Sequence, residues 1–92
     1  VIIIQIKIFM KNIFEHINDV LSNWDPLDVG EDLAQDEYQK YIPSIVKRLN
    51  NKRELALYLE CILTKELNTG YNKDNDKHRK DLDRIIHEML SF

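Results

Sequence analysis

Glycine, proline and cysteine are scarce in this 92-residue chain, which has two glycines, two prolines and one cysteine. A many-stranded β fold needs a turn about every eight to twelve residues, and this composition supplies too few turn residues for one. A single cysteine, Cys61, excludes an intramolecular disulfide and fits a reducing cytosol. The sequence also lacks a glycine-rich phosphate-binding loop. These absences favour a small helical domain, and we expect it to be cytoplasmic.

Long hydrophobic runs are also missing, apart from VIIIQIKIF at residues 1–9. This segment is too short to span a bilayer, is interrupted by Gln5 and Lys7, and lacks the features of a signal peptide. Because the segment from Met10 resembles the start of a mature protein, we interpret residues 1–9 as an upstream extension and residues 10–92 as one helical domain. A β-strand is the alternative, since isoleucine favours strands. We predict no membrane association.

Apolar residues recur at helical spacing in four segments, which predicts an all-α, compact four-helix bundle-like domain. The predicted helices cover about residues 10–23, 36–50, 53–67 and 76–90. Asp25 is expected to end the first helix, because the residue before a proline is disfavoured in the helical conformation. Pro43 lies inside the second segment. Either that helix kinks there, or the main helix begins with Pro43 in its first turn.

The acidic residues and histidines do not have the spacing of a metal site. An EF-hand loop starting at Asp25 would place Leu27 and Val29 at two positions that require oxygen ligands. A transition-metal site needs clustered histidine or cysteine, and the histidines are spread along the chain at His16, His78 and His87. The sequence therefore predicts no metal and no cofactor.

Catalytic residues are not indicated either. Cys61 as a nucleophile would need a neighbouring base in a polar setting, and its helical pattern with Leu59 and Ile62 instead predicts a small buried residue. Carboxylates could be paired for acid–base chemistry, but nothing in the sequence separates their pKa values. We predict a non-enzymatic protein, with a metal-dependent hydrolase as a remote alternative.

Basic residues form two groups: Lys40, Lys47, Arg48, Lys52 and Arg53, and Lys73, Lys77, Arg79, Lys80 and Arg84. The second group is interleaved with Asp74, Asp76, Asp81 and Asp83. Alternating signs on a helix are typical of a solvated face with ion pairs one turn apart. Together with the net charge of −3, this pattern predicts no direct binding of nucleic acid.

The strongest local signal is a run of six carboxylates from Asp25 to Glu37 that contains no lysine or arginine and follows the single tryptophan. We interpret it, with nearby aromatic residues of the kind enriched at interfaces, as a surface for a basic partner. The predicted binding residues are Trp24, Asp25, Asp28, Glu31, Asp32, Asp36, Glu37, Tyr38 and Tyr41. The aromatic residues would lie at its centre if they are exposed. Asp36 and Glu37 are also expected at a helix N-terminus, where carboxylates stabilise the helix dipole.

The segment WDPLDVGEDLAQDEYQKYIPSIVKRL, followed by ELALYLECILTKEL, resembles the YugE-like family of small bacterial proteins of unknown function. The matching residues are Trp24, Asp25, Pro26, Asp36, Glu37, Tyr38, Tyr41, Pro43 and Ile45, with Ala56, Tyr58 and Leu59 in the third predicted helix. Family members often carry a histidine after that helix, where this chain reads TKELNTGY.

Small acidic helical domains of this pattern are also similar to immunity proteins of contact-dependent growth inhibition and other polymorphic toxin systems. This resemblance implies a cytoplasmic protein that binds and neutralises a cognate toxin C-terminal domain, which would be a basic nuclease. A non-catalytic structural or adaptor domain is the alternative. In that case Trp24, Pro26 and Tyr41 are buried at a helix joint and the carboxylates are simply solvated. The oligomeric state stays open.

Overall fold

The computed structural model describes the backbone of residues 2–91 and the side chains of residues 12–91, and all regular structure in this part of the chain is helical. Its α-helices are α1 (Ile2–Trp24), α2 (Glu31–Glu37), α3 (Ile42–Val46), α4 (Lys52–Cys61) and α5 (Asp76–Leu90). A 3₁₀ turn, Gln39–Tyr41, precedes α3, and a π-helical turn, Ile62–Glu66, continues α4. The prediction of an all-α bundle is confirmed. Among the described helices, none has both the length and the apolar character needed to cross a membrane.

Helix α1 is longer than predicted, because its backbone is already helical at Ile2. The alternative of a β-strand within residues 1–9 is therefore wrong for residues 2–9. Val1 and the side chains of this segment lie outside the described residues, so its interpretation as an upstream extension stays a prediction. The helix ends at Trp24, as the following Asp-Pro pair predicted. Asp25 adopts a left-handed conformation with φ of 45°, and its N–H donates to the carbonyl of Leu21 at 2.8 Å, which caps the helix.

The second predicted helix, residues 36–50, does not exist as one element. Helix α2 occupies Glu31–Glu37, upstream of the predicted start, and α3 begins at Ile42 with Pro43 in its first turn. Of the two alternatives for Pro43, the one that placed it in the first turn of a helix is thus confirmed, but this helix ends at Val46. In a continuous helix the ring of Pro43 would clash with the carbonyl of Gln39, four residues earlier. A break before α3 removes that clash.

Asparagine side chains cap the starts of the last two helices. Asn51 accepts a hydrogen bond from the N–H of Glu54 at 3.2 Å before α4, and Asn75 accepts one from the N–H of His78 at 3.1 Å before α5. Helix α5 matches the predicted range, whereas the predicted third helix changes to π geometry over its last turn, where Leu67 N–H donates to Ile62 O at 2.8 Å.

The core is built around α1, which contacts α2, α3 and α5, while α4 packs on α5. Its buried side chains are Ile13, Ile17, Val20, Leu21, Ala34, Tyr38, Tyr41, Ile42, Ile45, Leu55, Leu59, Ile62, Leu63, Leu82, Ile85, Ile86 and Met89. The predicted apolar stripes therefore face inward. The prediction that Cys61 is buried is wrong: the thiol is exposed, because it lies two residues, or about 200° around the helix, from buried Leu59.

Candidate functional site

The loop between α1 and α2 is closed around the carboxylate of Asp25. That carboxylate accepts hydrogen bonds from the Tyr38 hydroxyl at 2.6 Å and from the N–H groups of Val29 and Gly30 at 3.1 and 2.9 Å. The Tyr38 oxygen in turn accepts a hydrogen bond from the N–H of Leu27 at 3.0 Å. The WDP and DEY parts of the sequence thus meet in space, and their contact fixes the path of the chain into α2.

These hydrogen bonds contribute to a shift in the pKa of both side chains. The Tyr38 hydroxyl, with the N–H groups of Gly30 and Val29, holds the pKa of Asp25 below its ordinary value, against the opposing effect of burial. Burial, and then the hydrogen bond to Asp25, raises the pKa of Tyr38. At neutral pH Asp25 is therefore a carboxylate and Tyr38 a neutral donor. Because the Asp25 carboxylate is engaged by its own loop, we do not include it in the binding surface.

The aromatic residues of the predicted surface lie mostly inside the protein. Tyr38 is 1% exposed and Tyr41 is 8% exposed, and Trp24 is partly buried against the core. The prediction required exposed rings at the centre of the surface, and neither tyrosine meets that requirement. Both face inward because Tyr38 lies four residues after buried Ala34 and Tyr41 lies four residues before buried Ile45, about one helical turn in each case.

The other predicted carboxylates do face outward. We call them the acidic face: Asp28, Glu31, Asp32, Asp36 and Glu37, all of which are exposed. Asp28 lies in the loop before α2, and the other four lie on α2 itself. In the described part of the chain, none of these five side chains forms an ion pair. Their charge is therefore left for solvent or for a partner.

The two ends of α2 differ in their electrostatics. Glu31 and Asp32 occupy the first turn, where carboxylates stabilise the helix dipole. Asp36 and Glu37 were predicted at a helix N-terminus, and this is wrong, because they end α2 at its negative pole with no basic residue in the last turn. In addition, Asp32 and Asp36 are like charges one turn apart. The carboxyl end of α2 thus carries charge that weakens the helix.

An apolar side chain that the sequence analysis did not select lies among these carboxylates. Leu33 is 63% exposed on α2, whereas its neighbour Ala34 is completely buried. The signal for it was present in the sequence, since Ala34 and Tyr38 are one turn apart and face the core together. That arrangement turns Leu33 outward. The outer surface of α2 therefore combines carboxylates with one exposed leucine.

Five basic residues in the described part of the chain contact groups outside the acidic face. On α5, Arg79 pairs with Asp76 and Arg84 with Glu88, and Lys52 of α4 lies 3.6 Å from Asp83. This agrees with the prediction of a mixed, solvated surface on α5. Two further cations lie over tyrosine rings: Arg48 over Tyr58 at 4.5 Å and Lys40 over Tyr41 at 5.3 Å.

The histidines are used in separate places. His16 Nε2 lies 2.8 Å from the carbonyl of Glu88 and links α1 to α5, while His87 Nδ1 lies 2.8 Å from the carbonyl of Asp83. Among the side chains of residues 12–91, no three histidine, cysteine, aspartate or glutamate residues converge as metal ligands would.

Comparisons with protein-family models, with curated proteins and with solved structures find no match for this chain. The resemblance to the YugE-like family and to immunity proteins therefore stays a prediction.

Proposed function

We propose that this chain is a cytoplasmic, non-enzymatic immunity protein that binds a basic toxin domain, of the nuclease class, through the acidic face of α2. The observation that carries the proposal is the set of five exposed carboxylates without an ion pair among the described residues. Two of them, Asp36 and Glu37, weaken the helix that holds them. A partner with complementary charge would relieve this cost.

A nuclease domain is a suitable partner because it must bind the phosphate backbone with lysine and arginine. An acidic protein that meets those side chains covers the surface that the nucleic acid needs. Complementary charge speeds the encounter and rejects wrong partners. Leu33, exposed among the carboxylates, offers apolar contact area at the same surface.

The alternative, in which the segment is a structural helix joint, applies to the WDP sequence and not to the carboxylates of α2. Burial of Tyr41 and the hydrogen bonds around Asp25 support a structural role for the WDP sequence. They do not involve the exposed carboxylates of α2. We therefore assign the loop around Asp25 to folding and the acidic face to recognition.

Co-expression with the toxin tests the proposal. The C-terminal domain encoded by the gene immediately upstream is expressed in bacteria with this chain, and we expect growth to be protected. A variant with Glu31→Gln, Asp32→Asn, Asp36→Asn and Glu37→Gln keeps the size of each side chain and removes its charge. We expect this variant to lose protection, and in calorimetry to bind the toxin domain at least tenfold more weakly, on the order of 1.4 kcal/mol.

The matched control changes four exposed carboxylates elsewhere: Glu15→Gln, Asp19→Asn, Glu66→Gln and Asp74→Asn. It alters the net charge equally and is expected to protect as the unmodified chain does. Equal protection by both variants would refute the role of the acidic face, and an upstream product that neither harms growth nor binds this chain would refute the proposed function.

A further inference from the structure

A cavity of about 170 Å³ lies beside Trp24 and Pro26 of the WDP segment, between the end of α1, the π-helical turn and the start of α5. Three rings line it, those of Trp24, Tyr71 and His78. Buried Leu63 and Leu82 also line it, together with exposed Asp81. Among the described residues that line the cavity, Asp81 is the one that carries a formal charge, and it is in no ion pair there.

Hydrogen bonds hold two of these rings in position. The Tyr71 hydroxyl donates to Glu60 Oε2 at 3.0 Å, and the Tyr71 ring stacks on His78 with 5.9 Å between centroids and 27° between planes. The N–H of Asn72 donates to His78 Nδ1 at 2.9 Å. Since a backbone N–H can only donate, the neutral imidazole carries its proton on Nε2. Burial, and then the hydrogen bond to Glu60, raises the pKa of Tyr71 to about 12, so the Tyr71 hydroxyl keeps its proton at neutral pH.

The backbone beside the cavity has an unusual local geometry. Leu63 belongs to the π-helical turn, a geometry that is rare and is often found at functional sites. Its carbonyl accepts hydrogen bonds from both the N–H and the hydroxyl of Thr69, at 2.9 and 3.0 Å. Between them, Asn68 adopts a left-handed conformation with φ of 48°. The chain therefore turns back sharply at the edge of the cavity and is fixed there.

We propose that this cavity binds a guanidinium group, the head of an arginine side chain. Cations are attracted to the faces of aromatic rings, and guanidinium, being planar and weakly hydrated, stacks on them better than an ammonium group does. The carboxylate of Asp81 supplies the opposite charge. A cavity of roughly 150 Å³ holds a benzene molecule, so the volume here suits a guanidinium and the end of its chain. The assignment of the arginine to a basic toxin domain rests on the proposed function, whereas the binding of a guanidinium group to the cavity does not.

Tryptophan fluorescence gives a direct test, because Trp24 lines the cavity and is the single tryptophan of the chain. The probe is Nα-acetyl-arginine amide, and the matched control is Nα-acetyl-citrulline amide, which has nearly the same shape without the charge. We expect the arginine probe to change the emission saturably and the citrulline probe to bind at least tenfold more weakly. Equal responses to the two probes, or no saturable response to arginine amide, would overturn the proposal.

Two variants distinguish the effect of the Asp81 charge in the cavity from the effect of a lower total negative charge. Asp81→Asn is expected to weaken the binding of the arginine probe about fivefold. The effect is modest because the carboxylate is exposed. Asp74→Asn removes the same charge from an exposed position outside the cavity and is expected to leave the affinity unchanged. Equal affinities for Asp81→Asn and the unmodified chain would contradict the assignment.

A competition experiment identifies the source of the group. If arginine amide displaces the toxin domain from its complex, the cavity holds an arginine of the partner. If it binds to the complex without displacement, the cavity serves a small guanidinium compound. Both outcomes support guanidinium binding. Because the fluorescence titration needs no toxin, failure of the immunity function and failure of this site are separately visible.

Discussion

Replacing Leu59 with alanine is expected to lower the free energy of unfolding by about 2–5 kcal/mol. Leu59 is 1% exposed in α4 and belongs to the core, so the substitution removes buried methyl groups and leaves a cavity. A domain of this size is stabilised by about 5–15 kcal/mol in total, so the loss is a large share of it. Urea unfolding followed by Trp24 fluorescence and far-ultraviolet circular dichroism measures it.

Leu57→Ala is the matched control, because Leu57 is in the same helix but is 58% exposed. We expect its cost to stay within about 0.5 kcal/mol. Similar losses for the two substitutions would mean that α4 does not present Leu59 to the core.

Tyr38→Phe is expected to lower the free energy of unfolding by about 1.5–3 kcal/mol at neutral pH, although it removes one oxygen atom. The buried hydroxyl donates to the charged Asp25 and accepts from the N–H of Leu27, and both groups lose a partner. Tyr41→Phe is the control, since that side chain is also buried, at 8% exposed, but its hydroxyl reaches solvent and makes no hydrogen bond within the described part of the chain. We expect the control to cost much less. Urea unfolding of the three proteins measures the difference, and equal costs for Tyr38→Phe and Tyr41→Phe would refute the role of the hydroxyl.

The effect of Tyr38→Phe should also depend on pH. The folded protein holds the pKa of Asp25 below its unfolded value, so the stabilising contribution of this carboxylate is present above the unfolded pKa. It is lost as the pH falls through the folded pKa. The stability difference between Tyr38→Phe and the unmodified chain should therefore narrow below about pH 3.8, the ordinary carboxyl value. A constant difference from neutral to acidic pH would show that the hydroxyl does not act through the Asp25 charge.

The parts of the fold that could be predicted from sequence are those fixed by local periodicity. Helix α5 was predicted with its observed bounds because its apolar residues repeat over several turns. Helix α2 was missed because it has seven residues and buries one of them, Ala34, so no repeat develops. Its acidic first turn after Gly30 was the available signal for a helix start. Gly30 has φ of 93°, a conformation that favours glycine.

The residues of the candidate site could be predicted from sequence, but which of their side chains face solvent could not. Six carboxylates between Asp25 and Glu37, with no basic residue among them, are visible in the sequence, and five of them are exposed. The sixth, Asp25, is engaged by Tyr38, 13 residues away, and a hydrogen bond between two elements leaves no periodic pattern. The same tertiary packing buries Tyr41. A short helix between two breaks can turn either face inward, and its packing against the core determines which face is buried.

We propose that the acidic face of α2 is kept for a basic partner at a cost to the stability of the domain. The double variant Asp36→Lys and Glu37→Lys separates stability from binding of the partner. Lysine at the negative pole of α2 is favourable for stability, whereas it removes the charge that the partner would meet. Glu15→Lys with Asp19→Lys, two exposed residues within α1, makes the same change of charge and serves as the control.

The measurement is the urea stability of each variant at low ionic strength together with its affinity for the upstream-encoded toxin domain by calorimetry. We predict that Asp36→Lys with Glu37→Lys raises stability by about 0.3–1 kcal/mol per charge and weakens binding at least tenfold, while the control retains the affinity of the unmodified chain. Undiminished affinity in the α2 variant would contradict the account.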